Sequence, residues 1–172
     1  FFIHGGETVG FMALIYQIID RNQYRVELIG EKGVVIDAGA NMGVFSVFAA
    51  ATHPDAIIYS FEPTPSTFAV LKQNTASYPN IKIFNFGLGE KEKTASIVIS
   101  SHSGGNYIGE GGTPVSIKTI DSLSLPVSFI KMDTEGYEAN ILKGAAATIR
   151  ARKPTIVMSA YHRPGYEKEL PA

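Results

Sequence analysis

The amino-acid sequence predicts an α/β fold built on a doubly wound, mostly parallel sheet. Short apolar runs with little polar alternation, typical of strands buried on both faces, occur at residues 34–38, 57–62 and 128–133. Helical patterns follow the first two runs, at residues 43–52 and 65–77. Strands that alternate with helices at this spacing pair in parallel through right-handed crossovers.

The segments on either side of this core are predicted in the same way. Before it, apolar residues at three and four spacings predict a helix at 7–20, and residues 24–29 a short strand. After it, a third strand is predicted at 81–88. Residues 94–100 and 115–120 alternate between apolar and polar, which predicts an antiparallel pair.

The remaining elements are a loop, a helix and a last strand. Residues 103–112 are rich in glycine and serine and are predicted as a loop, either a mobile lid or a plain surface loop. A helix is predicted at 137–150 and a strand at 155–160. We divide the chain into an N-terminal helical and strand extension, 1–33, and a main domain, 34–172.

Length, charge and composition limit the class of protein. With 172 residues, 45% of them hydrophobic, the chain is long enough for one globular domain. Fifteen basic and sixteen acidic residues leave a net charge of -1, so nucleic acid is not an expected partner. The apolar stretches are far shorter than the ~20 residues of a membrane span. The absence of cysteine and of a visible signal peptide favours a cytoplasmic location.

A strand, turn and helix at residues 34–43 suggest a nucleotide site. The run Val-Val-Ile-Asp-Ala-Gly-Ala-Asn-Met-Gly ends a buried strand in an acid and a glycine turn. Gly39 and Gly43 let the backbone approach a ligand closely, and the following helix offers its N-terminal amides. Glu62, at the end of the next strand, can accept both hydroxyls of a ribose. Many α/β proteins carry a glycine turn without such a ligand, so Glu62 is what favours a cofactor.

The turn favours an adenosine ligand without phosphates. The dinucleotide motif G-x-G-x-x-G needs glycine where Asn41 and Val44 stand, and a side chain at position 41 would crowd a pyrophosphate. No lysine and Ser/Thr pair follows the last glycine, so the turn is not a P-loop. S-adenosylmethionine fits, with its amino-acid tail over the turn and its ribose on Glu62.

A second acidic site follows the strand at 128–133. Asp133 and Glu135 come at its carboxyl end, where open α/β sheets bind ligands. A functional role is favoured for Asp133. For Glu135 a structural role in a capping turn is as well supported, and Glu138 is predicted to start the next helix.

Four motifs in order resemble the FkbM family of S-adenosylmethionine-dependent methyltransferases, a class I, Rossmann-like family. They are Val-Ile-Asp-Ala-Gly-Ala-Asn-Met-Gly, Ser-Phe-Glu-Pro-Thr-Pro, Thr-Ile-Asp-Ser-Leu and Lys-Met-Asp-Thr-Glu-Gly-Tyr-Glu. The resemblance runs from about residue 34 to residue 162. The Asp-x-Glu-Gly-x-Glu block, followed by Leu-Lys-Gly-Ala, is its discriminating part, because most class I methyltransferases share the glycine turn.

The resemblance implies a role for each motif residue. The residues implied at the methionine end of the cofactor are Asp37, Gly39, Asn41 and Gly43, with Glu62 at its ribose. Those implied beside the adenine are Asn85, Gly87 and Leu88. Asp133 is implied to contact the cofactor and, with Glu135, to lie near the methyl group and the acceptor. Such domains add a sixth and an antiparallel seventh strand, whereas ten residues follow His162, so we expect the last strands to be missing.

Transfer of a methyl group to a hydroxyl requires in-line positioning and a base. The candidate bases are Asp133, Glu135 and His162, and imidazole ordinarily titrates nearest neutral pH. His162 can equally be a turn residue packed against its neighbours. The same three side chains could bind a divalent ion, but no spacing motif enforces that geometry, and no metal is predicted.

The function implied by the resemblance is O-methylation of a hydroxyl on a sugar, a glycan or a polyketide-like metabolite. The alternative is a non-catalytic domain that binds an adenosine cofactor and docks to a partner. A short-chain dehydrogenase is disfavoured by Asn41 and Val44 and by the lack of a Tyr-x-x-x-Lys pair after the fourth strand. The sequence gives no prediction of the oligomeric state.

Overall fold

A computed structural model describes residues 8–99 and 105–159 of the chain. In chain order the strands are β1 (Val34–Ala38), β2 (Ile57–Phe61), β3 (Ile81–Phe84), β4 (Gly87–Leu88), β5 (Lys93–Val98), β6 (Tyr107–Ile108), β7 (Thr113–Lys118), β8 (Phe129–Met132) and β9 (Thr155–Met158). The α-helices are α1 (Thr8–Ile15), α2 (Val44–Thr52), α3 (Pro65–Thr75), α4 (Glu138–Lys143) and α5 (Ala146–Arg152).

Five of these strands form a parallel sheet in the order β3-β2-β1-β8-β9. The predicted α/β fold with a doubly wound, mostly parallel sheet is confirmed. The chain moves outward from β1 through β2 to β3, and then returns to the other side of β1 at β8. The strand order therefore reverses between β1 and β8, which is where open α/β sheets bind their ligands.

Successive residues of β1 pack into different hydrophobic cores, one on each face of the main sheet. Val35 packs in one core with Phe45 of α2, and Ile36 packs in the other with Ile141 of α4. Both strand residues are fully buried. Burial on both faces explains why the core strands are almost entirely apolar, and why polar residues inside them stand out.

Four short strands form a second sheet in the order β4-β7-β5-β6. The predicted antiparallel pair is confirmed as β5 with β7, with Ala95 opposite Val115. The predicted loop at 103–112 contains β6, which pairs with β5. The start of that loop lies outside the described residues. Ile97, Val115 and Ile117 form a small core of this sheet.

Two predicted strands are corrected by the structure. The expected strand at 24–29 is wrong: Val26–Leu28 is a 3₁₀ helix, because Arg25 is left-handed at φ 52° and the Asn22 side chain accepts the Val26 amide at 3.0 Å. The expected strand at 81–88 ends at Phe84, and Gly87–Leu88 pairs with β7 in the second sheet instead.

The helix predictions hold with two changes. The N-terminal helix α1 continues as a π-helical turn, Tyr16–Asp20. The helix expected at 137–150 is divided into α4 and α5. A side chain at Gly144, between the two, would place its Cβ 1.9 Å from the carbonyl oxygen of Gly89, so the helices separate where another loop packs closely. Within the described ranges no helix combines the length and apolar character needed to cross a bilayer.

Candidate active site

A cavity of about 210 Å³ opens at the carboxyl ends of β1, β2 and β8. The residues that follow these strands line the cavity. Gly39 comes after β1, Glu62 after β2 and Asp133 after β8. The N-terminal segment adds Leu14, Gln17 and Ile18, and the second sheet adds Ile97, Ile108 and Ile117. The cavity thus lies at the reversal of strand order, with a polar floor and apolar sides.

The turn after β1 is held in a conformation that favours glycine. Gly39 and Gly43 have φ of 73° and 89°, and Asn41 has φ of 50°. A Cβ at Gly39 would lie 2.0 Å from the carbonyl oxygen of Asp133, and one at Gly43 would lie 2.7 Å from Cδ1 of Leu71. Gly39 therefore allows the ends of β1 and β8 to meet, whereas Gly43 allows the turn to pack on α3. Gly39 and Asn41 line the cavity, and Gly43 does not.

Asp37 lies beneath this turn and does not line the cavity. Its side chain is completely buried. One carboxylate oxygen pairs with the ammonium of Lys131 at 2.9 Å, and the other accepts a 2.6 Å hydrogen bond from the Ser46 hydroxyl. The Ser46 oxygen is also 2.7 Å from the Ser60 oxygen. Asp37 thus connects β1 to β8, α2 and β2.

Lys131 is a site residue that sequence reasoning missed. It is 3% exposed, lines the cavity, and donates to the carbonyl oxygen of Gly39 at 2.9 Å. Its ammonium also lies 5.2 Å from the centre of the Tyr24 ring. The available signal was a lone cation in the apolar strand Phe-Ile-Lys-Met, because a buried lysine requires a counter-charge.

Glu62 faces the cavity and also supports the turn. It is 7% exposed, and its two oxygens accept the backbone amides of Asn41 at 3.0 Å and Thr64 at 2.8 Å. Burial raises the pKa of the Glu62 carboxyl, and these hydrogen bonds and Lys131 oppose that rise. The carboxylate is therefore oriented before any ligand arrives.

The three residues implied beside the adenine lie in different places. Gly87 and Leu88 are buried and line the cavity. The side-chain amide of Asn85 donates to the carbonyl oxygens of Glu62 and Pro63, at 2.9 and 3.2 Å, and Asn85 does not line the cavity. Asn85 holds the backbone around Glu62 in place.

The two acids that follow β8 lie far from the glycine turn in the sequence but line the same cavity. Asp133 and Glu135 both line it. Asp133 accepts a 2.7 Å hydrogen bond from the hydroxyl of Tyr24. Glu135 is left-handed, with φ of 52°, in a turn that brings it to the cavity. The third predicted base, His162, lies outside the described residues.

Glu138 begins α4, as the sequence predicted. It is completely buried, and one of its oxygens accepts the amides of Thr134 at 2.9 Å and Gly136 at 3.4 Å. A carboxylate in the first turn of a helix also interacts favourably with the helix dipole. Glu138 thus fixes the turn that carries Glu135.

The residues around the cavity fit an adenosine cofactor with an amino-acid tail. Gly39 admits close approach to the backbone, and Glu62 offers an oriented carboxylate. The side-chain carbonyl oxygen of Asn41 is buried without a hydrogen-bond partner among the residues described, so it can serve as an acceptor for a ligand.

The fold and site define a Rossmann-like α/β domain with a cavity at the reversal of strand order. The sequence profile of the Methyltransferase FkbM domain matches residues 37–171. The chain belongs to the FkbM methyltransferase family.

Two named relatives illustrate the range of this family. The hexuronic acid methyltransferase AglP of Haloferax volcanii is 28% identical over 137 residues, which cover 74% of this chain and 56% of that protein. The 31-O-demethyl-FK506 methyltransferase FkbM of Streptomyces tacrolimicus is 44% identical over 45 residues, or 26% of this chain and 17% of that protein. The chain therefore spans less than two thirds of the length of either relative.

Solved structures agree on the fold. The methyltransferase FkbM from Methylobacillus flagellatus superposes with a TM-score of 0.64 at 20% identity, over 98% of this chain and 48% of that one. A SAM-dependent methyltransferase from Aquifex aeolicus superposes with a TM-score of 0.50 at 9% identity, over 87% of this chain and 70% of that one.

Proposed function

We propose that this protein uses S-adenosylmethionine to methylate a hydroxyl group on a sugar, a glycan or a polyketide-like metabolite. One observation carries the proposal: the ends of β1, β2 and β8 place a glycine turn, the acid Glu62 and the acid Asp133 around one cavity. This arrangement offers a ribose acceptor and a base within the same site, in a chain of a methyltransferase family.

The cofactor would be held by residues that already face the cavity. Glu62 takes the ribose hydroxyls, and Gly87 and Leu88 lie beside the adenine. Gly39 and Asn41 take the methionine end, where the side-chain carbonyl of Asn41 accepts from the ammonium. Asp37, Gly43 and Asn85 act from outside the cavity, since their contacts stabilise the turn and the backbone around Glu62.

When bound, S-adenosylmethionine supplies a methyl group on a positively charged sulfur. That methyl group would be available for transfer to a hydroxyl oxygen of the acceptor. Asp133 accepts the proton that the acceptor hydroxyl loses, and Glu135 is the second candidate for this role. Both carboxylates line the cavity that the acceptor would enter.

The acceptor class is supported by the relatives. One acts on a hexuronic acid and another on a demethylated form of FK506, according to their names. The alignment with the hexuronic acid enzyme covers the larger share of this chain, 74% against 26%. A sugar hydroxyl is therefore the first acceptor to test.

Calorimetric titration tests the cofactor. S-adenosylmethionine and S-adenosylhomocysteine are expected to bind the wild-type protein, and NAD is not. Glu62→Ala should weaken both sulfur ligands by about 1.5–3 kcal/mol, the scale of charge-assisted hydrogen bonds. Part of that loss reflects the amides of Asn41 and Thr64, so Glu62→Gln, which keeps one acceptor oxygen for them, is measured alongside. Tight binding of NAD alone would reject the proposed cofactor.

Turnover tests the reaction. Glucuronic acid, galacturonic acid, glucose and a macrolide polyol are offered with labelled S-adenosylmethionine, and methyl ethers are identified by mass spectrometry. Methylation of a uronic acid hydroxyl is the expected result. Binding of the cofactor without turnover on any of the four would favour the non-catalytic alternative.

A further inference from the structure

Tyr24 contacts a cavity-lining acid, Asp133, from a part of the chain that the family profile does not cover. The profile begins at residue 37, whereas Tyr24 precedes the 3₁₀ helix Val26–Leu28 in the N-terminal segment. Its hydroxyl donates to Oδ2 of Asp133 at 2.7 Å, and lies 3.3 Å from the hydroxyl oxygen of Ser159, which follows β9. Three distant parts of the sequence therefore meet at one phenol.

The position of that phenol is closely determined. Tyr24 is only 2% exposed, and its ring contacts the Phe45 ring edge to face, with centroids 5.7 Å apart. The ammonium of Lys131 lies 5.2 Å from the Tyr24 ring centre. A ring packed in this way has little rotational freedom, so its hydroxyl is a fixed donor.

We propose that Tyr24 is a positioning residue for Asp133 and that the N-terminal segment is thereby part of the active site. The inference rests on the proposed function, in which Asp133 accepts the acceptor proton. A carboxylate at the end of a strand can rotate about two side-chain bonds. The hydrogen bond to Oδ2 removes that freedom and holds the base toward the cavity. Tyr24 keeps its own proton throughout.

The decisive variant is Tyr24→Phe, which retains the ring and its packing and removes only the hydroxyl. Tyr16→Phe is the matched control, because Tyr16 lies in the same segment, is 50% exposed, and pairs its hydroxyl oxygen with Arg21 away from the cavity. Thermal melting of each variant checks that the fold is retained.

The first readout needs no acceptor. The carboxylate ¹³C resonance of Asp133 is recorded with and without S-adenosylhomocysteine and is assigned by its loss in Asp133→Asn. Tyr24→Phe should move this resonance, and Tyr16→Phe should leave it in place. An unmoved resonance in Tyr24→Phe would overturn the proposal, whatever the activity of the protein.

The second readout uses turnover with glucuronic acid. Tyr24→Phe should lower kcat by up to about a hundredfold, the scale of a misplaced catalytic group, and leave the KM and Kd for S-adenosylmethionine unchanged. In the Asp133→Asn background the same change should have no further effect on kcat. An unchanged kcat would contradict a positioning role for Tyr24. So would a loss of activity that is explained by a higher Kd for S-adenosylmethionine. Failure of the wild type to bind the cofactor or to turn over bears on the proposed function instead, and leaves the resonance to decide the role of Tyr24.

Discussion

Lys131 on β8 and Asp37 on β1 stand directly opposite each other in the parallel register and form a buried ion pair. Their side chains are 4% and 0% exposed, and the charged atoms lie 2.9 Å apart. The pair connects the two strands between which the order of the sheet reverses. Lys131 also donates to the carbonyl oxygen of Gly39, so the same ammonium stabilises the glycine turn.

Lys131→Met should strongly destabilise the protein, because it leaves the Asp37 carboxylate buried without its counter-charge. We expect a loss of about 3–5 kcal/mol in the free energy of unfolding, measured by urea denaturation. The double variant Asp37→Asn/Lys131→Met should recover much of that loss. Lys143→Met is the control: its ammonium lies 4.0 Å from Glu90 at an exposed site, and the effect should be below about 1 kcal/mol. Equal losses in the free energy of unfolding for Lys131→Met and Lys143→Met would refute this prediction.

Gly39→Ala should abolish detectable cofactor binding and reduce stability. The new methyl group would lie 2.0 Å from the carbonyl oxygen of Asp133, at a backbone φ of 73° that disfavours alanine. We expect a loss of about 1–3 kcal/mol in the free energy of unfolding from the backbone strain alone. Gly30→Ala is the matched control, since no atom lies within 4 Å of its added Cβ. Calorimetry with S-adenosylhomocysteine and urea denaturation check both effects, and normal binding by Gly39→Ala would be the contrary result.

Glu62 should make stability depend on pH in a direction opposite to that of an ordinary paired acid. Burial raises its pKa in the folded state, so folding favours the protonated form. The stability that protonation gives is complete below the unfolded pKa and is lost as pH rises through the folded pKa. The free energy of unfolding of Glu62→Gln minus that of wild type should therefore decrease as pH falls from 7 toward 4.5. Urea denaturation at several pH values measures it, and a constant or growing difference would contradict the prediction.

Asp121, in the motif Thr-Ile-Asp-Ser-Leu, should contribute to stability by capping α5. Its carboxylate accepts the amides of Ala147 at 3.0 Å and Thr148 at 2.8 Å. Asp121→Ala should cost about 0.5–2 kcal/mol in the free energy of unfolding, measured by urea denaturation, as other cap deletions do. Asp55→Ala, at an exposed turn residue, should cost less than about 0.5 kcal/mol.

The Asp121 contribution should also disappear in acid. Burial acts to raise the pKa of Asp121, but the hydrogen bonds from Thr148 and Ala147 outweigh it and leave the pKa below its ordinary value. The contribution is present above the unfolded pKa and is lost as pH falls through the folded pKa. The difference in the free energy of unfolding between wild type and Asp121→Ala should therefore narrow as Asp121 becomes protonated in acid. A difference that is independent of pH would count against a capping role for the Asp121 carboxylate.

Local patterns in the sequence predicted the core strands, the glycine turn and the acids after β2 and β8. Each of these features depends on a short stretch of sequence. Apolar runs indicate the strands, and an acid or a glycine indicates where each strand ends. Glu62 and Asp133 follow this rule, and both line the cavity. Strands of a parallel sheet end on one edge, so residues at their ends meet without further information.

Contacts between distant segments were not predicted, because no local pattern encodes them. Tyr24 and Asp133 are separated by 109 positions, and the Lys131 pairing depends on the register between β1 and β8. The composition of residues 24–29 predicted a strand. The structure has a 3₁₀ helix, Val26–Leu28, which follows the left-handed residue Arg25. Asp37, implied at the cofactor by the family resemblance, lies beneath the turn and pairs with Lys131, a contact that the sequence did not indicate.

The second sheet is inserted between β3 and β8, so part of the cavity wall comes from outside the main sheet. The chain leaves the main sheet after Phe84 and rejoins it at Phe129. Ile97, Ile108 and Ile117 belong to this insert. The same insert carries Gly87 and Leu88, so a change in its strands would alter the cavity at these two residues as well as at the three isoleucines.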